Sequence, residues 1–313
     1  SFEREELVMS NGIIPALYEL VEYICKPDER VMFLTPSYAY FKYAADFNKR
    51  EYVCSDLLYR DGRYSIDFED FAAKAADEKN TLLILCNPHN PSGRVWTEEE
   101  LAKLAGIIEK NNLWVISDEI HCDLLRRNQK HIPLGRVMPE YKRLITCMAP
   151  SKTFNLAGMM ISNVIIRDEG LRAVWLDRHY NFDNPLSIAA AQAAYEKGET
   201  WLEELRIYLD ENFRFVGEYL AEHLPRAKYQ ISEATYLAWV DLNEYFEPDE
   251  KLPLFFAYKA GVLLEGGNMF VQNSDGFIRL NLACPKATVE EGLKRICEAV
   301  NTKHAEKYLG EEH

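Results

Sequence analysis

The spacing of apolar positions divides the chain into two textures. In the first, short β-type runs alternate with helical stripes. "GIIPALYELVEYIC" places Ile13, Leu17, Leu20, Val21 and Ile24 on one helical face, with Asn11-Gly12 ahead of it and Pro15 in its first turn. "RVMFLTP" (30–36) is a β-type run closed by proline. "TLLILCNP" (81–88) is an apolar run too short for a helix, and it suits a strand buried on both faces. "TEEELAKLAGIIEKNN" opens on a capping box, Thr97 with Glu100, and carries Leu101, Leu104, Ala105 and Ile108 as its stripe. Further strands are predicted at "LWVIS" (113–117), "RLITCM" (143–148) and "NVIIR" (163–167). Strand, helix and strand with short links imply right-handed βαβ units, hence an α/β fold with a mainly parallel sheet sandwiched by helices. The opening stretch, "SFEREELVMSNGIIPAL", reads as acidic and helix-like.

Beyond about residue 198 the texture changes. "TWLEELRIYLDENFRFVGEYLAEHL" predicts a long amphipathic helix. Hairpin-like strands, "TYLAWVDL" and "GFIRLNLA", follow, and "TVEEGLKRICEAV" closes the chain as a helix. The expected division is a large ligand-binding domain, residues 1–198, and a smaller C-terminal α+β domain, residues 199–313. Trp96, Trp114 and Trp201 fall on helix or strand patterns and are expected in the core.

Composition narrows the class. The 313 residues, 48% apolar and 27% charged, suit an ordinary globular protein of about two domains. A net charge of −14 excludes a sequence-independent grip on nucleic acid or an anionic membrane surface, because both need a basic face. No apolar run reaches the ~18 residues of a membrane span. The seven cysteines are odd in number, widely spaced and without a C-x-x-C pair, which fits reduced thiols and a cytoplasmic setting. His89, His121, Cys122, Asp123 and His131 lie near one another in sequence but lack metal-type spacing, so no metal site is expected.

Candidate chemistry gathers at strand ends. In an open α/β sheet, ligands bind beyond the carboxyl ends of the strands. The 81–86 run leads into "NPHNPSG", the 113–117 run into "DEIH", and the 143–148 run into "PSK". Side-by-side strands would bring Asn90, Asp118 and Lys152 to one crevice. Each has a plainer reading: Asn90-Pro91 is a turn signal, Asp118 a helix cap, Lys152 a solvated charge. Together they are harder to dismiss. An acid at the end of an apolar strand is costly unless a positive group meets it, and a desolvated lysine is a nucleophilic amine. An imine-forming lysine with an acid for a pyridinium nitrogen is the minimal apparatus for pyridoxal phosphate. "NGIIPAL" supplies an anion site at a helix N-terminus, and Tyr38 in "TPSYAYF" a flat partner for a ring.

"NPHNPSG", "SDEIH", "SKTFNLAG" and "FIRLNLACP", in this order, resemble the fold-type I pyridoxal-phosphate enzymes. More narrowly they resemble the class I/II aminotransferase-like branch of cystathionine β-lyases, the C–S lyases of the MalY/PatB type. The resemblance implies pyridoxal 5'-phosphate as cofactor, an amino acid as substrate and a homodimer as the working unit. It implies that Lys152 holds the cofactor covalently, Asp118 pairs with its ring nitrogen, Tyr38 stacks on the ring, and Asn90 and His121 lie at the ring hydroxyl. Gly12, Ile13 and Ser151 would hold the phosphate, and Arg279 the substrate α-carboxylate. Two positions depart from the family pattern: Ala149 replaces a hydroxyl residue, and Met160 replaces an arginine at the phosphate. The family also has a leading segment ahead of the point where this chain begins. It would supply a substrate cover and a tyrosine for the neighbour's site, so the site in this chain is expected to be incomplete. The implied reaction is cleavage of L-cystathionine or related cysteine S-conjugates to a thiol, pyruvate and ammonia. The same parts would serve an aminotransferase, and a non-catalytic protein of this fold is the alternative of another class.

Overall fold

The computed structural model of the chain describes residues 2–179, 184–248 and 250–310. Its centre is a seven-stranded sheet. The strands are β1 (Leu7–Ser10), β2 (Arg30–Thr35), β3 (Glu51–Asp56), β4 (Asn80–Cys86), β5 (Trp114–Asp118), β6 (Leu144–Met148) and β7 (Ser162–Ile166). Their order across the sheet is β1-β7-β6-β5-β4-β2-β3. Strands β2 to β6 run parallel, and β7 runs antiparallel to both β6 and β1.

Side-chain alternation along the parallel strands fills both faces. Leu82, Ile84, Ile116 and Ile145 pack with Leu17, Leu20 and Val21 of helix α1 (Ile13–Ile24). Leu83, Leu85 and Val115 pack on the opposite face with Leu101, Leu104 and Ile108 of helix α2 (Glu98–Lys110). The Thr97–Glu100 capping box forms as the sequence predicts, with both reciprocal bonds present. A four-residue turn of helix, α3 (Pro150–Thr153), follows β6 directly.

A separate apolar cluster lies between helices α4 (Glu199–His223) and α5 (Lys286–Gly310) and a second, antiparallel sheet. That sheet holds β8 (Leu237–Asp241), β9 (Glu265–Gly266) and β10 (Phe277–Asn281) in the order β8-β10-β9. Leu124, from the segment after β5, also enters this cluster.

Three expectations are corrected. Residues 4–6 form one 3-10 turn, and the rest of the opening stretch before α1 is strand β1, not helix. Its burial alternates, Val8 and Ser10 inward, and it completes the sheet edge beside β7; pairing outweighs local helical preference. The strands β8 and β10 do pair, Leu237 with Asn281, but helix Leu252–Ala260 and β9 lie between them in sequence, so they form no hairpin. Trp201 is 46% exposed and stacks at a tilt near Phe154, whereas Trp96 is fully buried. No helix among the described residues is long and apolar enough to cross a membrane.

Candidate active site

Asp118 is the last residue of β5, in register with Cys86 on β4 and Cys147 on β6. The three neighbouring strands therefore deliver Asn90, Asp118 and Lys152 to one rim of the sheet. A cavity of about 1230 Å³ opens there, between the sheet's carboxyl edge, the start of α1, and the β9–β10 wall with α5. Gly12, Ile13, Tyr38, Asn90, Asp118, His121, Ser151, Lys152 and Arg279 all line it. Every site residue singled out from the sequence is thus brought together.

The buried Asp118 carboxyl accepts one hydrogen bond, from the Ile120 amide at 3.2 Å. Burial pushes it up to about 7; the Ile120 amide and the Lys152 charge pull the other way. The Cys86 and Cys147 thiols beside it are raised well above the usual thiol range, first by burial and then by Asp118. They are neutral, and only Cys86 of the two lines the cavity. Asp118 caps no helix; its bond to Ile120 closes a turn that turns the chain toward His121.

Lys152 sits in α3, held by packing on either side. Pro150 opens the turn, and Thr153 Oγ1 donates to Asp123 Oδ2 at 2.9 Å. Among the described residues the Lys152 ammonium makes no hydrogen bond or ion pair. His121 is buried, and its imidazole is pushed down to about 3 by desolvation and then by the charges of Lys152 and Arg279. It is therefore neutral at pH 7, and its Nδ1 has no partner.

Tyr38 lies on a two-residue ribbon that pairs with Phe270–Val271, and its ring rests 5.1 Å from that of Tyr40. Burial, and then Tyr40, raise its hydroxyl to about 12. Gly12 caps α1 with φ +120, a conformation open to glycine and closed to most L-residues, and the first amides of the helix face the cavity. Arg279, on β10, donates from Nη1 to Asn90 Oδ1 at 2.7 Å and from Nη2 to Glu265. Its guanidinium lies 4.8 Å over the Phe270 ring, and its Nε is buried without a partner.

Among the lining residues that sequence reasoning did not place at the site are Cys86, Tyr236 and Glu265. Cys86 is the register neighbour of Asp118, which only strand order reveals. Tyr236 stands 6.4 Å from His121, edge to face. Glu265 sits on a strand too short to carry a periodic signal. Glu119 was also passed over. It is fully buried, accepts from Ser117 Oγ (2.9 Å), His131 Nε2 (2.8 Å) and the Leu134 amide (3.0 Å), and fastens the turn that bears His121. His131 is thereby engaged, and His89 pairs with Ser92 at 2.7 Å. Among the described residues no group of three His, Cys, Asp or Glu side chains could hold a metal. Met160, where the family pattern has an arginine, is 61% exposed at the cavity edge.

An amine, a carboxyl and a helix N-terminus gathered at the carboxyl edge of a parallel sheet define an α/β protein built to hold an anionic, carbonyl-bearing aromatic cofactor. The profile of the family described as Aminotransferase class I and II matches residues 1–296, and the chain belongs to that family. It is 38% identical over 302 residues to "Cystathionine beta-lyase PatB" of Bacillus subtilis (strain 168), covering 95% of this chain and 78% of that protein. It is 30% identical over 305 residues to "Protein MalY" of Escherichia coli (strain K12), covering 96% and 78%. The fold superposes on the PLP-bound C-S lyase from Staphylococcus hominis with a TM-score of 0.94 and 48% identity, covering 96% of this chain and 78% of that one. The residues present fit pyridoxal phosphate. The Lys152 amine and the His121 Nδ1, both without a partner among the described residues, lie in one cavity with the buried Asp118 carboxyl, which has a single backbone donor.

Proposed function

We propose that the protein is a pyridoxal-phosphate-dependent carbon–sulfur β-lyase that cleaves L-cystathionine or related cysteine S-conjugates. One observation carries the reading: Lys152, Asp118 and Arg279 line a single cavity in a chain similar along nearly its whole length to cystathionine β-lyases.

Bound pyridoxal phosphate would supply an electron sink for a carbanion at the substrate α-carbon. Asp118 would hold a proton on the ring nitrogen; the cation there would stabilise the carboxylate that burial alone disfavours. Tyr38 would pack on the ring face, and Asn90 and His121 would hydrogen-bond the ring hydroxyl. The Gly12 and Ile13 amides with Ser151 Oγ would hold the phosphate, aided by the helix dipole. Met160 supplies no charge there, so backbone amides carry more of that grip. Arg279 takes the α-carboxylate. Lys152 Nζ would hold the cofactor, and as a free amine it would take the α-proton as general base. The β-carbon–sulfur bond then breaks, the electron pair leaves with sulfur, and the thiolate takes up a proton. The remaining three-carbon fragment takes up one water to give pyruvate and ammonium.

In this reading residues 1–198 form the cofactor-binding domain and residues 199–313 the smaller domain that supplies Arg279. The chain works as a homodimer; the exposed Met160, Leu186 and Ile188 support a partner surface near the site. Seven free thiols support a cytoplasmic setting.

Cofactor-loaded protein incubated with L-cystathionine should release pyruvate and a thiol in equal amounts without added keto acid. A strict keto-acid requirement would overturn the lyase in favour of an aminotransferase. Absence of a visible absorption band on adding the cofactor, or its persistence unchanged in Lys152→Ala, would overturn both in favour of a non-catalytic role.

A further inference from the structure

Arg279 is held on three sides. Phe270 stacks beneath it, Asn90 takes Nη1, and the Glu265 carboxylate takes Nη2. Nε and Nη2 form the edge of a guanidinium that accepts a carboxylate side-on. Among the described residues, on that edge Nε is buried and unpartnered, and Nη2 is engaged only by Glu265. Glu265 is the register partner of Arg279 across β9 and β10, so its proximity is fixed by the sheet. Its side chain is nevertheless 41% exposed, and it makes no other hydrogen bond among the described residues. A substrate carboxylate taking both donors competes with it for Nη2.

The charge then left behind has no replacement partner. Seven lining residues can carry charge: Asp118, His121, Lys152, Glu265, Arg279, Glu291 and Arg295. Glu291 and Arg295 pair with each other at 2.7 Å, and His121 is neutral. Asp118 and Lys152 serve the cofactor, and Arg279 the substrate. Glu265 is what remains, on the strand beside Arg279 and lining the same cavity.

We infer that Glu265 is a specificity-determining carboxylate. It occupies Arg279 in the ligand-free protein, and on displacement it selects cysteine S-conjugates whose sulfur substituent carries an ammonium group. This rests on the lyase reading and names the substrate class of the same site. L-Cystathionine, with an amino group on its distal arm, falls within that class. A substituent bearing only a carboxylate is repelled.

The test compares S-(2-aminoethyl)-L-cysteine with S-(2-carboxyethyl)-L-cysteine on cofactor-loaded wild type and Glu265→Gln. The wild type prefers the aminoethyl compound, and the ratio of the two kcat/KM values falls about tenfold in the variant, chiefly through KM. Glu265→Lys inverts the preference. A second readout needs no turnover: glycine, titrated against the visible spectrum of the loaded protein, binds about three- to fivefold more tightly to Glu265→Gln, the scale of a part-exposed ion pair removed as competitor. A ratio unchanged within about twofold in both variants, together with unchanged glycine binding, overturns the assignment. If the wild type releases no thiol from either conjugate, the lyase reading fails, while the glycine titration still decides whether Glu265 competes for Arg279.

Discussion

Asp118 couples the site to pH through a single proton. Its carboxyl is raised from 3.8 to about 7 in the folded protein without cofactor. Between those values the folded state keeps a proton that the unfolded chain has lost, so stability falls as pH rises, by at most about 1.4 kcal/mol per pH unit. His89 and His121 act in the opposite sense. Both are pushed down to about 3, so they cost stability as pH falls below their ordinary value of 6.5. Asp118→Asn removes only the carboxyl's share. In urea unfolding of cofactor-free protein, the variant should gain on the wild type from pH 5 to pH 7. A constant difference would show that the carboxyl titrates in its ordinary range. With cofactor bound the same substitution should cut turnover about 100-fold or more, because a neutral amide cannot hold the ring nitrogen's proton. Lys152→Ala should lose at least as much, read as pyruvate release.

At the level of elements, the loop after β4 is fastened on both sides. Gly93 adopts φ +68, and a Cβ there would lie 2.4 Å from Ser232 Cβ. Its carbonyl accepts from the Ala234 amide at 2.9 Å. Gly93→Ala should therefore destabilise the protein by about 1–3 kcal/mol, read as a lower urea midpoint. Arg94, next to it, pairs with Glu100 of α2 and Glu233 of the segment before β8, and reaches the Tyr64 carbonyl. The arginine is buried, and the acids are only partly so. Arg94→Met takes the guanidinium from both acids, although Glu233 keeps Arg63 and the Val95 amide and Glu100 keeps the Thr97 amide, and should cost about 1–3 kcal/mol in the same measurement. An unchanged midpoint would mean that the three groups rehydrate on losing their partner.

For the whole molecule, the cavity lies between the sheet and the β9–β10 wall, so a ligand bound there touches both apolar assemblies. A ligand that binds only the folded state stabilises it by about 2.7 kcal/mol at a hundred times its Kd. For a chain of this size, pyridoxal phosphate at that excess should raise Tm by about 4 °C. Lys152→Ala should show a much smaller rise, because the covalent link is gone. An equal rise in both would place the cofactor's main grip elsewhere than at Lys152.

Much of this was legible in the chain. Buried parallel strands need apolar runs of a particular length, helices need a 3.6-residue stripe and a cap, and Thr97–Glu100 supplied one. Asn90, Asp118 and Lys152 stood out because polar groups at the ends of such runs are costly unless a ligand or partner answers them. The opening strand β1 was not legible, since four residues have no period of their own and take their state from the neighbour they pair with. Nor was the Arg279–Glu265 pairing, because it depends on register between strands 14 positions apart in sequence and on nothing local to either residue. The amino-acid sequence by itself determined which side chains could do chemistry; tertiary structure alone decided which charges would meet, because contact between distant residues is set by strand order and register.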